Sequence, residues 1–144
     1  MHGLAERVGS TPFPMYAEDE RRYWIALLKA MGKMIPCPTC KEHYAAYTKE
    51  NPFEAPLKTQ SYLDLNNWIR TYLWDLHNWV NQSNGKPEFP FEEISILYNK
   101  VNLRETLKDL RRPVELAIQL SGTQIVGFQE FSKHLSMLFS IYGV

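Results

Sequence analysis

The sequence predicts an all-α protein, and three observations support this. Apolar residues recur at intervals of three and four along much of the chain, which is the spacing of one face of a helix. Nine prolines, most of them in close pairs, separate segments of helical length. Up to Tyr98, no alternating run of four or more β-branched or aromatic residues stands between turn signals, so strands are not expected.

The first two long helices are predicted on either side of a proline pair. An apolar stripe runs from Glu18 to about Met34 and defines the first helix. Pro36 and Pro38 then restart the chain, because proline suits the first turn of a helix and disfavours helix in the residue before it. The second helix is therefore expected from Pro38 to about Glu50.

The third long helix is predicted to begin in the polar residues from Thr59 onward and to continue through Val80. Asn84 and Gly85 should end it, because this pair is typical of a helix C-terminus. A short helix is expected to follow over Pro90–Tyr98.

The remaining segment, 99–144, is predicted to form two further helices. Pro113 and Gly122 are expected to break it, and a second apolar stripe begins at Phe128. We predict a core over 1–98 and a helical extension over 99–144 that packs on the core or on a partner.

Composition excludes several classes of function. The 144 residues include 16 basic and 16 acidic residues, without a long run of like charge, so a nucleic-acid partner is not expected. The apolar stretches are shorter than the roughly 20 residues that span a bilayer, and the N-terminus lacks the pattern of a signal peptide. These features predict a soluble, intracellular protein without membrane association.

Only two cysteines occur, and they form the motif Cys37-Pro38-Thr39-Cys40. A single disulfide that closes so short a loop cannot stabilise a fold, so the cysteine pair indicates redox chemistry or metal binding. At the opening turn of a helix, the positive end of the helix dipole lowers the pKa of the first cysteine. Cys37 is therefore the expected point of attack, and Cys40, one turn further, is expected to be more protected.

Two other interpretations of this motif were considered. Zinc could be bound by Cys37 and Cys40 together with His43 and His77, but structural zinc sites usually take their second pair of ligands from an equally tight motif. A thioredoxin-like domain requires a strand before the motif, and helix is predicted on both sides. No metal site is expected.

A second group of candidate residues lies in the third long helix. Trp74, His77, Asn78 and Asn81 are spaced by three and four, so they share one face. Histidine and asparagine are mediocre helix formers, and their concentration favours a ligand with polar ring edges. The alternative is that these side chains hold buried backbone groups or meet solvent.

Four separated motifs resemble the core of the Erv/ALR sulfhydryl oxidases. The resemblance covers about residues 1 to 98, and the His-Tyr pair after the cysteine motif is most similar to members encoded by large DNA viruses such as iridoviruses. The motifs are Ile35-Pro36-Cys37-Pro38-Thr39-Cys40-Lys41-Glu42-His43-Tyr44, Asn51-Pro52, His77-Asn78-Trp79-Val80-Asn81 and Gly85-Lys86-Pro87-Glu88-Phe89.

The resemblance implies a four-helix bundle with a short fifth helix, noncovalently bound FAD beside the cysteines, and a homodimer. It also implies that a dithiol protein or small thiol attacks Cys37, that Cys40 contacts the flavin, and that reduced FAD passes electrons to O2, giving H2O2. Such an enzyme is a FAD-dependent thiol oxidase. The FAD-binding positions that the resemblance implies are His2, His43, Tyr47, His77, Asn78, Val80, Asn81, Lys86 and Tyr98.

The sequence departs from the family pattern in three respects. A Trp-containing segment precedes the histidine at position 2 in the family, which implies either a start upstream of Met1 or weaker FAD binding. Cellular members carry a cysteine pair at the positions of Trp74 and Phe91, where we expect an aromatic contact instead. No further cysteines are available as a shuttle disulfide, so electrons are expected to enter directly at Cys37.

Overall fold

The computed structural model describes residues 1–11, 13–122 and 125–144, and within these residues it contains eight α-helices and no strand. A single 3-10 turn, Pro14–Tyr16, precedes the second helix. The all-α prediction is confirmed, while Pro12 lies outside the described residues. In chain order the helices are α1 (His2–Ala5), α2 (Ala17–Met34), α3 (Pro38–Glu50), α4 (Glu54–Thr59), α5 (Leu65–Ser83), α6 (Glu92–Tyr98), α7 (Leu103–Ser121) and α8 (Ile125–Tyr142).

The helices around the cysteine motif have the predicted limits. Helix α2 carries three acidic residues in its first turn and Lys33 in its last, which suits the helix dipole. Helix α3 begins with Pro38 in its first turn and ends at Glu50, and Cys37 is its N-cap. The cysteine motif is therefore fixed at a helix start by local sequence alone.

Two predicted boundaries were wrong. The third long helix begins at Leu65 rather than Thr59, because the Ser61 hydroxyl donates to the Asp64 carboxylate and accepts from the Asp64 N–H, which stabilises a turn there. Pro113 does not break α7. It lies on an exposed part of that helix, so the backbone carbonyl that loses its donor can bond to water instead.

One hydrophobic core joins α1 to α5 with α8. Trp24, Leu27 and Leu28 of α2 are almost completely buried in it. Four side chains of α8 belong to the same core, so this helix completes the bundle rather than forming a second one. These are Phe131, Leu135, Leu138 and Phe139.

Helix α8 packs closely along α2. A Cβ atom on Gly127 would lie 2.8 Å from the carbonyl carbon and oxygen of Lys33, so only glycine permits this crossing. At the other end of α8, the Tyr142 hydroxyl donates to the fully buried Glu20 carboxylate (2.6 Å) and accepts from the Trp24 indole N–H (2.8 Å). Both ends of α8 are thus attached to α2.

Helix α7 is held less tightly. Ile118 is the one buried side chain among its described residues, and Leu110, Leu116 and Leu120 are exposed. A cavity of about 240 Å³, lined mainly by apolar side chains, separates it from α1, α2 and α8.

In the described part of the chain, no helix combines the length and apolar character needed to cross a lipid bilayer.

Candidate redox and cofactor site

The two cysteines lie side by side at the start of α3. Their Sγ atoms are 2.7 Å apart as free thiols, and the Cys40 backbone N–H also donates to the Cys37 sulfur (3.3 Å). Both thiols are exposed, so the expected protection of Cys40 was wrong. The reason is that the first turn of α3 lies at the end of the bundle, and the first buried side chain of this helix is Tyr44.

The local hydrogen bonds make the pair asymmetric. The pKa of Cys37 is lowered, first by the hydrogen bond from the Cys40 thiol and then by the bond from the Cys40 backbone N–H. The pKa of Cys40 is raised, mainly because its thiol donates that hydrogen bond. When the reduced pair loses one proton, these shifts place the negative charge on Cys37 and keep the proton on Cys40, which is the asymmetry that the position of the motif predicts.

An aromatic cluster follows the cysteines along α3. The Trp79 ring of α5 contacts the rings of His43 and Tyr47 edge-on, with centroid separations of 5.7 and 5.9 Å. Cys40, His43 and Tyr47 are spaced by three and four and share a face of α3. The motif is therefore continuous with an aromatic surface between α3 and α5. Sequence reasoning did not single out Trp79, although its spacing of seven from the buried Tyr72 indicates the same helix face.

On α5, Asn78 and Trp74 hold the segment that leads to α6. The buried Asn78 amide donates to the Phe89 carbonyl (3.1 Å) and accepts from the Phe89 N–H (2.8 Å). The Trp74 indole donates to the same carbonyl (2.6 Å). For these two residues the structure shows the alternative considered from the sequence, in which polar side chains satisfy backbone groups. Asn81 contacts the Asn78 amide more weakly, at 3.5 Å.

A second ring cluster forms where α1, α5 and α6 meet. The His2 and His77 rings are 3.3 Å apart at their nearest nitrogens, and the His2 ring also contacts Tyr98. His77 stacks on Phe89, with ring centroids 6.0 Å apart. Burial, with smaller effects from the amino terminus and His77, lowers the pKa of His2 to about 4. His2 Nδ1 is buried without a hydrogen-bond partner, which leaves this atom available to a ligand.

Five of the nine implied cofactor positions thus fall into two separate clusters, with His2, His77 and Tyr98 in one and His43 and Tyr47 in the other. Positions 77 and 79 of α5 point about 200° apart around the helix axis, so the cluster at His77 and the cluster at Trp79 lie on different sides. Val80 packs against the core. Lys86 is exposed, and its N–H donates to the Asn81 carbonyl (2.9 Å), which fixes the turn after α5.

A cavity of about 320 Å³ lies between α3 and α5, and its lining residues can be compared with what a flavin ring requires. Tyr47, Trp74 and Trp79 supply aromatic surface, and Asn51 and Gln82 supply amides. These groups fit a planar heteroaromatic ring with polar edges. Carboxylates at Asp75 and Glu88 also line the cavity, and burial followed by the charge of Glu88 raises the pKa of Asp75. The cavity suits the ring of a flavin, whereas its phosphates must lie elsewhere.

The residues considered for zinc are not assembled. Among residues 1–11, 13–122 and 125–144, no group of three or more His, Cys, Asp or Glu side chains is placed to hold a metal ion. His43 and His77 instead contact different aromatic neighbours, Trp79 and Phe89.

Comparison with known proteins gives a consistent result. Residues 2–104 match the model of the Erv1/Alr family. The chain is 29% identical over 110 residues to the FAD-linked sulfhydryl oxidase ERV1 of Oryza sativa subsp. japonica, covering 76% of the chain and 50% of that protein. It is 27% identical over 110 residues to the protein of the same name from Arabidopsis thaliana, covering 76% and 51%. The chain spans about half the length of these relatives. No solved structure matches it at a significant level.

Proposed function

The chain belongs to the Erv1/Alr family, and on that premise we propose that it is a FAD-linked sulfhydryl oxidase that converts thiols to disulfides and O2 to H2O2. Cys37 and Cys40 support this function most directly. They are exposed, adjacent and asymmetric in pKa, and they lie on the helix that carries the aromatic surface of His43 and Tyr47.

The thiol chemistry follows from the positions of the two sulfurs. With the pair oxidised, a substrate thiolate attacks Cys37 Sγ, the Cys37–Cys40 bond breaks, and Cys40 takes the electron pair. A second substrate thiolate then attacks the substrate sulfur of the mixed disulfide, and Cys37 leaves as a thiolate. The substrate becomes a disulfide and the cysteine pair becomes reduced. A lowered pKa makes Cys37 the better leaving group in the second step.

FAD, when bound, would accept the two electrons of the reduced pair and supply the transfer to O2. Tyr47 and Trp79 would hold its ring system, with His43 supporting the Trp79 ring from the side. Asn78 fixes Phe89, on which His77 stacks, and so keeps a second ring surface in place. These residues position a cofactor, and only the two cysteines exchange covalent bonds.

The substrates, the assembly and the location are part of the same proposal. We propose a dithiol protein or small thiol as the electron donor, a homodimer as the working form, and an intracellular site of action. If the chain is encoded by a virus, that site is the host cytoplasm or the virion. Sedimentation of the flavin-loaded protein would test the dimer.

Purified protein tests the activity. We expect visible flavin absorbance that copurifies with the chain, and peroxide production from dithiothreitol that Cys37→Ser and Cys40→Ser each abolish. Thr39→Ser is the control, because it alters the same loop and leaves both sulfurs in place. We also expect Trp79→Ala to lower the flavin content. Colourless protein, or peroxide production that survives Cys40→Ser, would refute the proposal.

A further inference from the structure

A groove runs between α2 and α3 beside the cysteine motif and reaches the start of α8. It consists of two adjoining cavities, of about 550 and 400 Å³, which share Gly32, Lys33 and Lys41. The larger is closed by Gly127 and Glu130 of α8. This groove is separate from the cavity between α3 and α5, and it does not include the candidate cofactor residues.

Glycines shape the groove. A Cβ atom on Gly32 would lie 3.1 Å from the Tyr44 ring, and one on Gly127 would lie 2.8 Å from the Lys33 carbonyl group. The Tyr44 hydroxyl donates to the Leu28 carbonyl (2.8 Å), so the buried tyrosine wall is fixed. The groove therefore has ordered walls, and glycine at these two positions permits the close contacts between the helices that form them.

The charges along the groove are only partly compensated. Lys29 pairs with Glu54 (2.8 Å), and Lys33 pairs with Glu130 (2.7 Å). Lys41 is exposed and has no carboxylate within 4.0 Å in the part of the chain that the structure describes. It lies one helical turn after Cys37, and its N–H donates to the Cys37 carbonyl (2.9 Å). Among the described residues, Lys41 therefore carries a positive charge without an ion-pair partner one helical turn after Cys37.

We propose that this groove binds an extended polypeptide segment of the thiol substrate, with an acidic residue near the substrate cysteine paired with Lys41. The inference rests on the proposed oxidase function and names its substrate class. From Lys41 to Thr48 the groove follows α3 for about 10 Å, which accommodates about three residues of extended chain. Cavities of this size exceed what a small thiol fills, and the free charge favours an acidic partner.

Matched peptides test the proposal. Two dithiol peptides of identical length, one with glutamates and one with lysines flanking the cysteines, are compared by kcat/KM for peroxide formation, and each rate is divided by the dithiothreitol rate of the same variant. For an exposed pair we expect about a threefold to fivefold preference for the acidic peptide at low salt, reduced at high salt. Lys41→Gln should remove the preference and Lys41→Glu should reverse it. Lys49→Glu, an equal charge change on the last turn of α3 outside the groove, should retain it.

A binding measurement keeps this test independent of catalysis. Fluorescence anisotropy is recorded for the same two peptides with serines in place of cysteines. Tighter binding of the acidic peptide to the wild-type chain and to Lys49→Glu, but not to Lys41→Glu, supports the groove even if no thiol is oxidised. Equal binding of both peptides would overturn the groove proposal, even if the protein oxidises dithiothreitol. Absence of dithiothreitol oxidation contradicts only the proposed function.

Discussion

We expect Trp74→Ala to loosen α6 and to lower the free energy of unfolding by about 2–4 kcal/mol. The Trp74 and Phe91 rings meet edge to face, with centroids 5.6 Å apart and planes at 80°. The aromatic contact predicted between these two positions is therefore present. The Trp74 indole also donates to the Phe89 carbonyl, so its loss affects both ends of the segment before α6.

The magnitude follows from these contacts. An edge-to-face pair contributes about 0.5–1.5 kcal/mol beyond its buried area. The indole hydrogen bond contributes about 1 kcal/mol, and the remainder comes from truncating a half-buried tryptophan. A disulfide at this place would contribute about 2–4 kcal/mol, so the aromatic contact is of comparable size. Trp74→Phe keeps an aromatic ring but removes the hydrogen bond and part of the ring surface, and should cost about 1–2 kcal/mol.

Urea unfolding of Trp74→Ala, Phe91→Ala and the double variant measures the coupling between the two rings. We expect a coupling of about 0.5–1.5 kcal/mol. Phe13 and Tyr16 provide a matched control, since they form an edge-to-face pair with centroids 5.7 Å apart but are 55% and 38% exposed. Their coupling should be smaller. A Trp74–Phe91 coupling no larger than that of the control pair would refute the reasoning.

Three further expectations concern Tyr142, the cysteine pair and His2. Tyr142→Phe removes the donor to the buried Glu20 carboxylate and should lower stability by about 2–3 kcal/mol in urea unfolding; a loss below about 0.5 kcal/mol would contradict this. Because hydrogen bonds from Cys40 lower the pKa of Cys37, the pH midpoint for alkylation of Cys37 by iodoacetamide should rise in Cys40→Ala, and an unchanged midpoint would argue against those bonds. The pKa of His2 is about 4 when folded and 6.5 when unfolded, so the unfolded chain binds the extra proton between these values. Stability should therefore fall as the pH drops from 6.5 towards 4, and less steeply in His2→Gln.

The long helices were predictable because their signals are local. Proline pairs and the three-and-four spacing located α2 and α3 almost to the residue. The start of α5 was not predictable, because Ser61 and Asp64 are compatible with either a helix start or a turn. The choice between the two depends on the hydrogen bonds between these residues. Pro113 was misread for a related reason, since its cost in a helix depends on whether the affected carbonyl meets solvent.

Site prediction succeeded where chemistry depends on neighbours in sequence. The asymmetry of Cys37 and Cys40 follows from a helix start and needs no tertiary contact. The role of Asn78 depends instead on the path of the chain after α5, which brings Phe89 back against it. The groove at Lys41 was not predicted, because its larger cavity forms only where α8 crosses α2 at Gly127.

The hydrogen bond between Tyr142 and Glu20 has a consequence for the folding of the newly synthesised chain. These side chains are separated by 122 positions, and α8 fills the core beside α2. During translation, the part of the apolar surface of α2 that contacts α8 stays uncovered until residue 142 has emerged. Contacts between residues so far apart in sequence slow folding, and the intermediates that precede them expose hydrophobic surface and are prone to aggregate. The nascent chain should therefore bind chaperones until α8 has emerged, and the larger cavity beside Lys41 is complete only after α8 has packed on α2.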